Sequence, residues 1–204
     1  EGELSTQDKW TYGWIHMYMM NYCRDIAVEW YNKAVNDDPD NDPQNYRIAC
    51  MQRIWMFFLL KKEDEIFSEL EEKVKSNPLD PIATDNLLVA LSFAEKHEEG
   101  YQCFKNAIEK FPDDWHMYIH GGDFCKQLKR YDEALMYYKK AGEIGTYFCD
   151  ELYCIASLHE DLGEFEKANS VYMEIADIHR NRGFDVEAEM AEKQAKECSE
   201  KLNK

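Results

Sequence analysis

A pattern recurs along this chain at a period of about 34 residues, and it constrains the fold more than any other feature. Its clearest copy is Tyr131-Asp132-Glu133-Ala134-Leu135-Met136-Tyr137-Tyr138-Lys139-Lys140-Ala141. Phe165, Ala168, Val171 and Tyr172 repeat it one period on, and Phe104 and Ala107, ahead of Phe111-Pro112, repeat it one period back. Further back, Leu70 is followed by Pro78, and Tyr31 and Ala34 by Pro39. The chain therefore divides into repeats 8–41, 47–80, 81–114, 115–148 and 149–182, with a short insert after the first and a tail over 183–204. Self-similarity at this period marks supersecondary units that cannot bury their apolar faces alone and stack on one another to do so.

Each unit reads as two short helices. In the fourth, Tyr118, Gly121, Gly122 and Cys125 give the first helix one inward face at helical spacing, and Ala134, Leu135, Tyr138 and Ala141 give the second another. Small residues at Gly122, Ala134 and Ala141 let the two backbones approach closely. Pro39, Pro78 and Pro112 each end a second helix, since proline cannot continue it. In the tail, Phe184, Ala188, Ala191, Ala195, Cys198 and Leu202 form one apolar stripe among Glu, Asp, Lys and Gln. That pattern predicts a capping helix with one face on the last repeat and the other in water.

These residues resemble the tetratricopeptide repeat (TPR) family, a helix–turn–helix unit with small residues in each helix, an aromatic in the second and a closing proline. The resemblance covers 8–182 and is closest in the last two repeats. The earlier ones depart from it: Ile15, Ile54, Ile66 and Leu88 stand where the family prefers a small residue, and Gly100 where it prefers alanine. What the resemblance implies is an all-α, right-handed α-solenoid of five TPR-like helix pairs plus the C-terminal capping helix, forming one domain over 1–204. The bulky substitutes are expected to splay helix pairs or widen the groove between them.

Composition narrows the function. Lys and Arg number 24 against 41 Asp and Glu, a net charge of −17, which repels nucleic-acid backbones and anionic membranes alike. No stretch reaches the length of a membrane span; the longest apolar run, Ile54 to Leu60, reads as a buried helix segment. No signal-peptide pattern opens the sequence. Seven cysteines at irregular spacing, with no CxxC pair, argue against a disulfide framework and for a reducing, cytoplasmic setting.

TPR proteins typically bind a peptide or helix in a concave wall built from first helices, and the resemblance implies a non-catalytic module of that kind. By helical phase the wall would present Tyr12, His16, Met19, Met20, Met51, Gln52, Trp55, Phe58 and Leu59 in its N-terminal part. Asp85, Asn86, Val89 and Phe93 would follow in the middle, then His116, Ile119, His120, Asp123 and Gln127, and last Asp150, Tyr153, Ser157, Glu160 and Asp161. It thus passes from aromatic and Met-rich to polar and acidic. Met and aromatic side chains make adaptable, energetically dominant contacts, so Tyr12, Met51, Trp55, Phe58 and Phe93 are the expected anchors. The same apolar stripe would equally serve as core or as a homodimer contact. Because the first residue is Glu1 rather than Met, a further reading is a partner-recruiting portion of a larger regulatory or co-chaperone-type protein.

One TPR subtype clamps a carboxylate tail with several cations. Here Asn86 is the one matching residue and Lys9 and Lys126 the nearby cations, too few to neutralise two carboxylates. His116 and His120 share a helix face but lack an HExxH frame, so they read as groove histidines rather than metal ligands. Asp38, Asp40 and Asp42 alternate as in a calcium loop, yet Pro43 replaces the required glycine and Ala49 the bidentate glutamate; the segment reads as a solvated turn that kinks the stack. Gly121-Gly122 lies within a helix and reads as a close-packing point, not a phosphate loop. No catalytic motif occurs, and neither a metal nor a cofactor is expected.

Overall fold

The computed structural model describes Lys9, Thr11 and residues 29–33, 43–146 and 149–202. Ile15, Asp38, Pro39, Asp40 and Asp42 lie outside these. The chain divides into two compact units, 1–96 and 97–204. Among the described residues every regular element is an α-helix.

In the first unit, α1 spans Pro43–Leu59, α2 Glu63–Ser76 and α3 Pro81–Phe93. α1 begins ahead of its repeat: residues 43–46, expected as part of a solvated insert, form its first turn. Proline is tolerated at that position because the missing N–H would have had no partner there. α2 carries Glu63, Asp64 and Glu65 in its first turn and Lys73 and Lys75 in its last, each opposing the nearer end of the helix dipole. It stops at Ser76, just before Pro78. Asp80 caps α3, its carboxylate accepting the backbone N–H groups of Ile82 (2.9 Å) and Ala83 (3.2 Å). Ile54, Ile66, Leu70 and Ala90 form one core cluster of this unit. The bulky residues at 54, 66 and 88 are thus filled space, fully buried. The Arg53 guanidinium fixes α1 on α2 by bonding both oxygens of Glu69 (3.0 and 2.5 Å).

In the second unit, α4 is His97–Lys110, α5 Trp115–Gln127, α6 Tyr131–Ile144, α7 Asp150–Asp161, α8 Phe165–Asn181 and α9 Asp185–Leu202. Rings seated on glycines lock the first three. A Cβ added at Gly122 of α5 would lie 2.3 Å from the Tyr138 ring of α6. One at Gly121 would lie 2.3 Å from the Phe104 ring of α4, and one at Gly100 of α4 would lie 2.3 Å from the Phe124 ring of α5. Gly121 and Gly122 are close-packing points, as their helical position predicts. α9 lays Ala188, Ala191, Ala195 and Cys198 against α8, all buried, whereas the ends of the expected stripe, Phe184 and Leu202, remain exposed. Asn169 of α8 holds α9 by donating to the Ala195 carbonyl (2.7 Å) and the Ser199 hydroxyl (2.9 Å).

The backbone itself follows the sequence period. Lys61, Glu95, Lys129 and Gly163 all have positive φ (57°, 56°, 60° and 71°). The residue after each donates its N–H to the carbonyl five positions back: Lys62 to Phe57, Lys96 to Leu91, Arg130 to Cys125 and Glu164 to His159. Each of the described first helices α1, α3, α5 and α7 (the last two in the second unit) therefore ends in the same left-handed cap.

Candidate partner-binding surface

α1 and α3 pack side by side, and their shared surface gathers aromatic rings. The Trp55 ring lies 5.2 Å from that of Phe93, and Phe93 lies 5.9 Å from Phe58. Phe58 in turn meets Phe67 of α2 edge-on at 6.1 Å. The inner members are half-buried, but Trp55 stays 40% exposed and Met51, one turn earlier on α1, 38% exposed. Other large apolar side chains are exposed elsewhere among the described residues; what distinguishes Met51 and Trp55 is that they adjoin each other on one helix face and back onto an aromatic cluster. Gln52 and Leu59 are half-buried beside them.

The polar members of this wall turn inward. Asn86 is 7% exposed and hydrogen-bonds the Cys50 thiol of α1. Burial pushes that thiol's pKa up, which disfavours its thiolate form. Asp85 is buried as well, paired with Arg47 of α1 at 2.7 Å. Sequence reasoning overlooked Arg47, although it lies one turn before Met51 on the same helix face. Its charge is already matched within the fold.

α5 and α7 make a surface of different character. Lys126 ties them together, donating to the Ser157 hydroxyl (2.9 Å) and pairing with Asp161 (2.8 Å). His116 is held by Asp114 (2.8 Å), the N-cap of α5, and stacks on Trp115. Asp123 accepts a hydrogen bond from the Tyr138 hydroxyl (2.7 Å). Burial raises the Asp123 carboxyl pKa, and the Tyr138 bond and the nearby His120 pull it partly back. His120 is half-buried beside it. Tyr153 packs near the Tyr172 ring at 6.3 Å, and Glu160 accepts from Tyr172 and pairs with Lys201. This face is therefore a network of internally matched polar groups.

Of the expected site residues, Met51, Trp55, Phe58 and Phe93 come together in the first unit, while Asn86 lies beneath the surface. His120 and Asp123 are neighbours in the second unit; His116 is engaged with Asp114 instead. Tyr12, His16, Met19 and Met20 lie outside the described residues. Among the described residues no group of three or more His, Cys, Asp or Glu side chains is arranged to hold a metal ion, and no helix is long and apolar enough to cross a membrane.

Residues 116–144 match the family model of the tetratricopeptide repeat. No curated protein matches the chain. A thermophilic TPR protein of Thermus thermophilus is similar in structure, with a TM-score of 0.64 and 15% identity over 94% of this chain and 98% of that one. A tetratricopeptide repeat protein from Parabacteroides merdae gives 0.62 at 12% identity, over 94% of this chain and 71% of its own. Yeast Tom70 gives 0.59 at 16% identity, with 94% of this chain matching 40% of Tom70. At these identities the likeness is one of fold: an all-α helical repeat.

Proposed function

We propose, from the premise that this chain is a tetratricopeptide-repeat protein, that it is a non-catalytic module that holds a segment of another protein against the α1–α3 wall of its first unit. TPR folds generally mediate protein–protein contact and are typically not catalysts. The observation that carries the finer reading is Trp55: seated on Phe93 at 5.2 Å, yet 40% exposed, with Met51 extending the patch by one helical turn. A ring fixed from behind and open in front contributes contact area at little entropic cost, which is what binding anchors require.

The occupant is an apolar peptide or helix and not a carboxylate tail, because Arg47 is committed to Asp85. The same proposal places the chain in the cytoplasm. Among the described residues Cys50, Cys103, Cys125, Cys149, Cys154 and Cys198 stand as free thiols, four of them buried.

The test is affinity capture from native lysate with wild type and a Met51→Asp/Trp55→Ala variant, compared by mass spectrometry. Both residues are exposed enough that helicity by circular dichroism should be retained. The proposal expects captured partners to be lost from the variant. An unchanged partner set with a folded variant removes the α1–α3 wall from consideration.

A further inference from the structure

The repeat period continues into α9 and exposes a face there that is covered on its counterparts. On α5, Tyr118 is nearly buried and Gly122 takes the Tyr138 ring of α6. Their equivalents on α7 are Leu152 and Ala156, packed in one cluster with Tyr172 of α8. One period further on, the equivalents are Val186 and Met190 of α9, 67% and 62% exposed. Among the described residues no helix lies over them. In both earlier cases the cover is a helix reached through the short turn 128–130 or 162–164, so it runs antiparallel.

The open face also carries a charge pattern. Val186, Glu189, Met190 and Lys193 fall at i, i+3, i+4 and i+7, on one side of the helix. Glu189 and Lys193 are exposed, and neither forms an ion pair among the described residues.

We propose that this face is covered in solution by α9 of a second copy, antiparallel and related by a two-fold axis. With the axis near residue 191, Met190 packs on Met190 of the second copy, and Glu189 lies opposite its Lys193, twice. A basic helix from another protein would match Glu189 but leave Lys193 facing like charge. The strip's own sequence matches both. One helix pair buries less than the ~1,200–2,000 Å² of a standard interface, so the dimer is weak. Nothing in this inference depends on the α1–α3 wall.

Sedimentation equilibrium on the full chain, from micromolar to millimolar concentration, tests it. Wild type should show a monomer–dimer equilibrium. Glu189→Lys and Lys193→Glu should each weaken dimerisation by about tenfold or more, the range of a charge pair turned to repulsion. The combined swap should restore it, because opposite charges face each other again. Met190→Glu should give a monomer, and Trp55→Ala should leave dimerisation unchanged. All these positions are exposed, and circular dichroism would verify the fold of each variant. A wild type that stays monomeric throughout overturns the inference. So does a dimer indifferent to the single reversals, which would use another surface such as the first unit, and so does a swap that fails to restore association.

Discussion

Glycine in the middle of a helix is ordinarily a weakness, costing about 1 kcal/mol relative to alanine. Gly100, Gly121 and Gly122 reverse that expectation, because each is the seat of an aromatic ring from a neighbouring helix. The rings cannot retreat: Tyr138 and Phe104 are fully buried and Phe124 is 1% exposed. Adding one methyl at Gly122 would place it 2.3 Å from the Tyr138 ring, well inside van der Waals contact. Overpacking of a closed core costs typically about 1–3 kcal/mol, which exceeds the propensity gain. Gly122→Ala should therefore destabilise the protein by about 1–2 kcal/mol, read as a lower urea midpoint at unchanged slope. A neutral or stabilising result would mean that the ring is free to move. The departure of Gly100 from the family's alanine has the same cause: the space alanine would occupy is filled by Phe124. A sequence shows the missing side chain but not the ring that takes its place, which comes from a neighbouring helix.

Among the elements, the recurrent left-handed cap explains why some helix ends were legible and others were not. α2 and α4 end just before Pro78 and Pro112, and those prolines announce the stops. The left-handed positions that follow the first helices are Lys61, Glu95, Lys129 and Gly163, where only the last offers the residue that positive φ favours. Three charged side chains in that conformation give no sequence signal, although the even spacing of the positions does. Lys129 is exposed, so its replacement changes backbone strain and little else. Lys129→Gly should stabilise by about 0.5–1 kcal/mol, the relief of a left-handed non-glycine residue less the extra entropy of the unfolded chain. Gly163→Ala, where no neighbouring atom lies within 4 Å of the new Cβ, should lose a similar amount through φ alone. Thermal or urea unfolding of the two variants would check the opposed signs. The aromatic wall was legible to a similar degree. Helical phase placed Met51, Trp55, Phe58 and Phe93 on one side, but it also placed Asn86 there. Phase gives a direction around one helix; it does not reveal that α1, through Arg47 and Cys50, reaches over the polar side of α3.

For the molecule as a whole, the excess of acid is the dominant electrostatic fact. Seventeen negative charges lack a counterpart at pH 7. The paired ones are mostly on the surface: Lys62–Glu65, Lys140–Glu143 and Arg130–Glu98 join exposed side chains, and such pairs contribute little, about 0–1 kcal/mol each. Salt weakens these pairs, but it also screens the repulsion among the unmatched carboxylates, which a folded chain concentrates and an unfolded one disperses. With attraction near zero per pair and repulsion summed over the excess, the second effect wins. Raising NaCl from about 20 to about 200 mM cuts the Debye length from roughly 20 Å to under about 10 Å, and should raise the midpoint of thermal unfolding by a few degrees. A scanning fluorimetry series in NaCl reads this directly, and a midpoint that falls with salt would show that the ion-pair network outweighs the charge excess. The sign also bears on recognition. An apolar segment docking on the Trp55 wall need not be charged, but one flanked by Lys or Arg would be drawn to this surface faster than a neutral one, and the advantage would fade as salt is added.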